Sequence, residues 1–311
     1  MTSKHSSTTT SSSYNLLSIP YYDESLFAKI HEAPTFLPQH ENEESIRGIL
    51  YVTAVITVLH YLILLLMIKT NYQRDGSKAT ASSDETKEKE KQSLAAWKAS
   101  YQSTNLLVNL TLGCLGIYYE LSSQHTDRSI TNKIIGYPTI RYFAIIQIGY
   151  QLWALPVGIL KVGETPSMIV HHLAVMCVAG VSAFLSCGFR YFTPFFYGVI
   201  EISSVPLSVM NAFKHNPRWI ERYPSVYSNV RLLFGVTFLI VRVVLWTPFY
   251  WDFITLAMML LRSSEAGSTK VILALFNLSS IVLTMLQYFW ASKIVSAMVK
   301  GGPKKNAKKG D

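Results

Sequence analysis

Residues 168–184, MIVHHLAVMCVAGVSAF, and the next apolar run, residues 191–213, YFTPFFYGVIEISSVPLSVMNAF, decide the fold. Each is close to the length that crosses a bilayer core as a helix. Neither has the short apolar–polar alternation of a membrane strand. Yet the first holds two adjacent histidines, His171 and His172, and the second a glutamate, Glu201. An ionisable group at membrane depth costs about 2.5–3.5 kcal/mol on insertion scales. Groups kept at that cost are expected to serve a function or to pair inside a bundle.

Working outward, further apolar runs lie at residues 49–68, 104–119, 140–160, 232–250 and 271–295. The run at 104–119 is the shortest. The chain is therefore read as all-α, a polytopic transmembrane bundle of about seven spans. Hydrophobic residues make up 50% of the sequence and charged residues only 15%, which excludes an ordinary soluble domain. Pro156, Pro194 and Pro206 fall inside spans, where each is expected to free a carbonyl and kink its helix.

The formal net charge is +9. The basic residues cluster by loop, a pattern of membrane topology rather than of nucleic-acid binding. Lys69, Arg74, Lys78, Lys87, Lys89, Lys91 and Lys98 fill the first loop, and Lys300, Lys304, Lys305, Lys308 and Lys309 the tail. The alternate loops carry fewer, among them Lys133, Arg141 and Arg190. The bias predicts a cytoplasmic C-terminus, and seven spans then put the N-terminus in the lumen. The expected organisation is a polar tail over 1–46, a first span over 47–68, a charged cytoplasmic loop over 69–96, a bundle over 97–300 and a basic tail over 301–311. Nothing in the polar start resembles a cleaved signal.

Lys308 and Lys309 stand fourth and third from the end of the sequence. That spacing fits a dilysine retrieval signal of endoplasmic-reticulum membrane proteins, with coat-protein recognition of the tail. The plainer alternative is a basic patch meeting anionic headgroups.

The three cysteines, Cys114, Cys177 and Cys187, give neither a disulfide framework nor a metal motif. Adjacent residues on a helix point about 100° apart, so His171 and His172 do not readily share one metal ion; metal pairs use i,i+3 or i,i+4 spacing. No metal and no bound cofactor are expected. Two readings of the pair stand open: interior histidines bonding across helices, or chemistry-bearing groups. An isolated Glu201 carboxylate at that depth is expected to take up a proton or to find a cation, and Arg242 in the following span is the expected structural partner, with His171 or His172 as the alternative. Gln147, Tyr150, Gln151, Asn211, Asn277 and Gln287 are further polar residues that line an interior cavity or bond between helices.

The ordered pattern resembles a known family. Val170-His171-His172-Leu173-Ala174, then Glu201-Ile202-Ser203-Ser204-Val205-Pro206-Leu207, is similar to the TLC domain of the TRAM, LAG and CLN-type membrane proteins. Ile148-Gly149-Tyr150-Gln151-Leu152 resembles the family's Gly-Tyr element, and residues 238–245 its later Phe-x-x-x-Arg span. In this family the ceramide synthases join an acyl group from acyl-CoA to a sphingoid amine. The resemblance attaches activity to His171 and His172, with Glu201 where the synthases carry the first aspartate of an Asp-x-x-Asp pair. Ser204 replaces the second, so the chain looks closer to the lipid-regulating TLC-domain-containing branch. The resemblance implies an endoplasmic-reticulum membrane protein of lipid or fatty-acyl homeostasis, with membrane lipids as partners. The alternatives are an N-acyltransferase using acyl-CoA and a sphingoid base, and a non-catalytic cargo receptor or lipid regulator.

Overall fold

The computed structural model describes residues 36–75, 85–122, 127–264 and 267–300. The main helices are α1 (Gln39–Asp75), α2 (Glu85–Leu121), α3 (Ile130–Ile135), α4 (Tyr142–Val157) and α5 (Pro166–Phe184). They continue as α6 (Thr193–Tyr197), α7 (Ser204–His215), α8 (Pro217–Arg222), α9 (Pro224–Leu239), α10 (Trp246–Ser263) and α11 (Gly267–Lys300). No strand occurs among the described residues. Among the described residues, six stretches are long and apolar enough to cross a membrane.

The segment expected at 104–119 lies within α2, outside those six stretches. Its polar side chains explain why. Thr104, Asn105 and Asn109 are buried inside the bundle, whereas Leu107, Leu110 and Tyr118 are exposed. Polar residues turned inward lower the mean hydropathy without meeting lipid.

Both ends of the first loop are more helical than its charge suggests. α1 runs on to Asp75 and α2 starts at Glu85, both within the charged loop, and α1 begins at Gln39, within the stretch expected as polar tail. Glu41 and Glu44 in the first turns of α1 hold Arg141, at 2.6 and 2.8 Å. Arg141, counted by sequence among loop charges, is thus buried and paired.

The helices close a ring. α1 packs on α2 and α4, α4 on α5, α5 on α11, α11 on α10, α9 on α7, and α7 on α2. Small residues permit the closest approaches. A Cβ on Gly149 would meet Val52 at 2.8 Å, and one on Gly113 would meet Ile202 at 2.5 Å. Such residues let helix backbones approach where lipid supplies no hydrophobic drive.

The run at 191–213 is not one kinked helix. It is broken into a 3-10 turn (Arg190–Phe192), α6, a second 3-10 turn (Val199–Ser203) and α7. Pro194 and Pro206 sit in the first turns of α6 and α7, where a missing N–H costs least. Gly198 makes the break, and its Cα abuts that of Gly116 on α2. Arg190 secures the segment. Its guanidinium donates to the carbonyls of Ser182, Leu185 and Ser186 at the end of α5, and to Ile135. A cation there satisfies orphan helix carbonyls and opposes the negative end of the macrodipole.

Candidate functional site

Glu201 lies on the 3-10 turn Val199–Ser203, which α2 carries at Gly113 and Gly116. A Cβ on Gly116 would overlap the Gly198–Val199 backbone. The glycines therefore set how far Glu201 projects into the ring.

Arg242 reaches the same place from a π-helical turn, Ile240–Leu245, between α9 and α10. Such single-turn bulges recur at functional sites. Both residues are buried, and Arg242 Nη2 stands 3.4 Å from Glu201 Oε2. The same guanidinium donates to Ser203 Oγ at 2.7 Å, Ser204 Oγ at 2.8 Å and Gln287 Oε1 at 3.4 Å. Ser204 in turn donates to Glu201 Oε2 at 2.6 Å. The serine that stands where a second acid was expected thus bridges the arginine and the glutamate.

From the other carboxylate oxygen a chain of amides runs to the histidines. Gln147 Nε2 donates to Glu201 Oε1 at 3.0 Å, and Gln151 Nε2 faces Gln147 Oε1 at 3.5 Å. Gln151 Oε1 bonds His172 Nδ1. Gln147 and Gln151 are one helical turn apart on α4, so both face the ring interior. His172 is buried on α5, and its Nε2 has no hydrogen-bond partner among the described residues.

His171 turns another way. Its ring packs edge-on against Trp290, 5.4 Å between centroids, and against His172, 5.7 Å. It lines a narrow cavity of about 30 Å³ with Val178, Phe196, Trp246, Leu283 and Gln287. The walls are chiefly apolar, and Gln287 joins the cavity to the Arg242 cluster. A second, chiefly apolar groove of about 230 Å³ lies between α5 and α11, by Cys177, Val181, Phe184 and Leu275.

The structure thus brings Glu201 and Arg242 together and joins His172 to them through two glutamines. No hydrogen bond links Glu201 directly to either histidine among the described residues. Tyr150 bonds Asn105 at 3.0 Å, and Asn277 bonds the carbonyls of Leu273 and Ala257. No group of three or more metal-ligating side chains occurs among the described residues.

Sequence reasoning overlooked His60, buried on α1 between Trp97 and Trp153 with its Nδ1 3.4 Å from Thr104 Oγ1. A lone histidine in an apolar run was its only signal. Glu164, in the loop before α5, also escaped notice. Burial pushes its carboxyl above the usual range, against a hydrogen bond from Tyr101. Lys308 and Lys309 lie outside the described residues.

Comparison with known proteins adds one finding. A family profile described as TLC domain matches residues 97–296. No curated protein and no solved structure matches. The matched stretch begins in α2, ends in α11 and contains every residue of the cluster joining His172, Glu201, Arg242 and Gln287. With a bundle of apolar helices around that stretch, the chain belongs to the TLC-domain family of multi-pass membrane proteins.

Proposed function

We propose that this is an endoplasmic-reticulum protein of lipid or fatty-acyl homeostasis, from the lipid-regulating branch of its family, whose His171 cavity receives an acyl chain. The observation that carries this reading is a histidine on the wall of a chiefly apolar cavity inside a transmembrane bundle. Apolar walls suit a hydrocarbon, and a few placed polar groups give its reactive end an orientation. As built, the cavity has room for roughly one water, so the side chains must part to admit a chain.

The chemistry that suits such a site is acyl transfer. A histidine of the pair takes a proton from an amine or hydroxyl acceptor, the freed nitrogen or oxygen bonds the acyl carbon, and the thiol of acyl-CoA leaves with a proton. A sphingoid base is one acceptor of that kind. A second reading has an observation of its own. The Glu201 carboxylate is held by Arg242, Ser204 and Gln147 and touches neither histidine. That arrangement suits a non-catalytic regulator or cargo receptor that senses lipid.

Both readings require occupancy, which photo-crosslinking tests. A diazirine-bearing fatty acid fed to cells is expected to label cavity-lining residues of α5 and α11. Val178→Trp, which fills the cavity, is expected to remove that label and leave labelling of the lipid-facing residues. Equal cavity labelling in both proteins overturns the acyl-binding reading.

The address rests on Lys308 and Lys309. Replacing both with Ser is expected to carry the protein beyond the endoplasmic reticulum. An unchanged location by microscopy would leave the tail a plain basic patch.

A further inference from the structure

We infer that Gln147 and Gln151 are positioning residues, through which the Glu201 carboxylate fixes the tautomer of His172 with its proton on Nδ1 and Nε2 left as a bare acceptor. The reasoning starts at the arginine. A guanidinium only donates, so Arg242 obliges both serines beside it to accept. Ser204 then has its own proton free for Glu201 Oε2. The remaining carboxylate oxygen, Oε1, accepts from Gln147.

Because an ionised carboxylate cannot donate, Gln147 must present its NH₂ to it, and its carbonyl faces the other way. That carbonyl meets the NH₂ of Gln151, whose own carbonyl meets His172 Nδ1. A carbonyl cannot donate, so Nδ1 carries the proton. The neutral ring then holds its lone pair on Nε2, which is buried without a partner among the described residues. Polarity is passed over two amides with no freedom to reverse while Glu201 is a carboxylate.

The consequence deepens the acyl-transfer reading and rests on it for its functional meaning. A bare, buried acceptor accommodates the N–H or O–H of a ligand, so the relay prepares His172 for an amine or hydroxyl acceptor. Glu201 orients the histidine, but through Gln147 and Gln151 rather than by contact.

The test needs no substrate, so it stands apart from the search for a reaction. Full-length protein with ¹⁵N-histidine, reconstituted in lipid bilayers, is studied by solid-state NMR, and the His172 signals are assigned by their loss in His172→Asn. Protonated and unprotonated ring nitrogens resonate far apart. Wild type is expected to show Nδ1 protonated and Nε2 bare.

Gln147→Leu interrupts the relay while leaving the Glu201–Arg242–Ser204 contacts in place. It is expected to give a mixture of tautomers. Glu201→Gln adds a donor at the head of the chain, permits the amides to reverse, and is expected to move the proton toward Nε2. Gln151→Glu keeps an acceptor at Nδ1 and is expected to retain the Nδ1-protonated form. A wild-type His172 protonated on Nε2 overturns the inference, and so does an unchanged tautomer in Gln147→Leu. A failed acylation assay alongside the expected spectra would strike the enzyme reading alone.

Discussion

Glu201→Gln and Arg242→Gln are each expected to lower stability by about 3–5 kcal/mol, the cost of leaving one member of a buried ion pair alone. The two are held 3.4 Å apart and both side chains are less than one-tenth exposed, so water does not replace the lost partner. The losses should differ in size. Glu201→Gln leaves the guanidinium four other acceptors: Ser203, Ser204, the Ile200 carbonyl and Gln287. Arg242→Gln leaves the carboxylate only the donors of Ser204 and Gln147, and empties the π-helical turn of its anchor. The arginine change should therefore cost more. The double variant should lose less than the sum of the two, by about 0.5–3 kcal/mol, because residues in contact couple. Melting curves of the purified proteins in one detergent measure this. Strict additivity would mean that the pair contributes through its separate hydrogen bonds rather than through its opposite charges.

The same residues show how far the sequence could be read. Burial at membrane depth forced a partner on Glu201, and Arg242 was the cation at matching depth, so the pair was legible as a cost that something had to offset. The route from Glu201 to His172 was not. Gln147 and Gln151 stood out as polar residues in an apolar run. Their i,i+4 spacing placed them on one face, but nothing local said which way that face turned.

Six of the seven expected spans were legible from apolar length; the run at 104–119, with its inward polar side chains, was not, and the geometry within the spans is set by packing. The break at Gly198 depends on Gly116, more than eighty positions earlier in the chain. A proline at the start of a short helix looks the same in sequence as a proline inside a long one. Arg141 and Arg190 were read by charge alone as loop residues. Arg190 instead gathers carbonyls at the end of α5, a role created by chain reversal and visible only once the fold brings those ends together.

His171→Ala and His172→Ala are each expected to reduce acyl transfer, and the one that removes the general base by about 10²–10⁴-fold. The assay is purified full-length protein with a panel of acyl-CoAs and amine or hydroxyl acceptors, read as acylated product. The two losses should have different characters. His171 borders the cavity, so its removal also alters the surface that a ligand touches and should raise KM as well as lower kcat. His172 faces the relay and does not line the cavity, so its removal should fall mainly on kcat. Both variants must first melt like the wild type, since a lost interhelical hydrogen bond can itself disable a membrane bundle. Gln151→Leu gives an independent control: it leaves both imidazoles in place and should reproduce part of the kcat loss of His172→Ala. If the wild type yields no product with any pair, while cells lacking the protein still have altered membrane lipids, the histidines serve a lipid regulator. In that case the polar relay holds α4, α5 and the Glu201 turn in register around a bound chain, and the same substitutions should weaken acyl-probe labelling of the cavity instead of turnover.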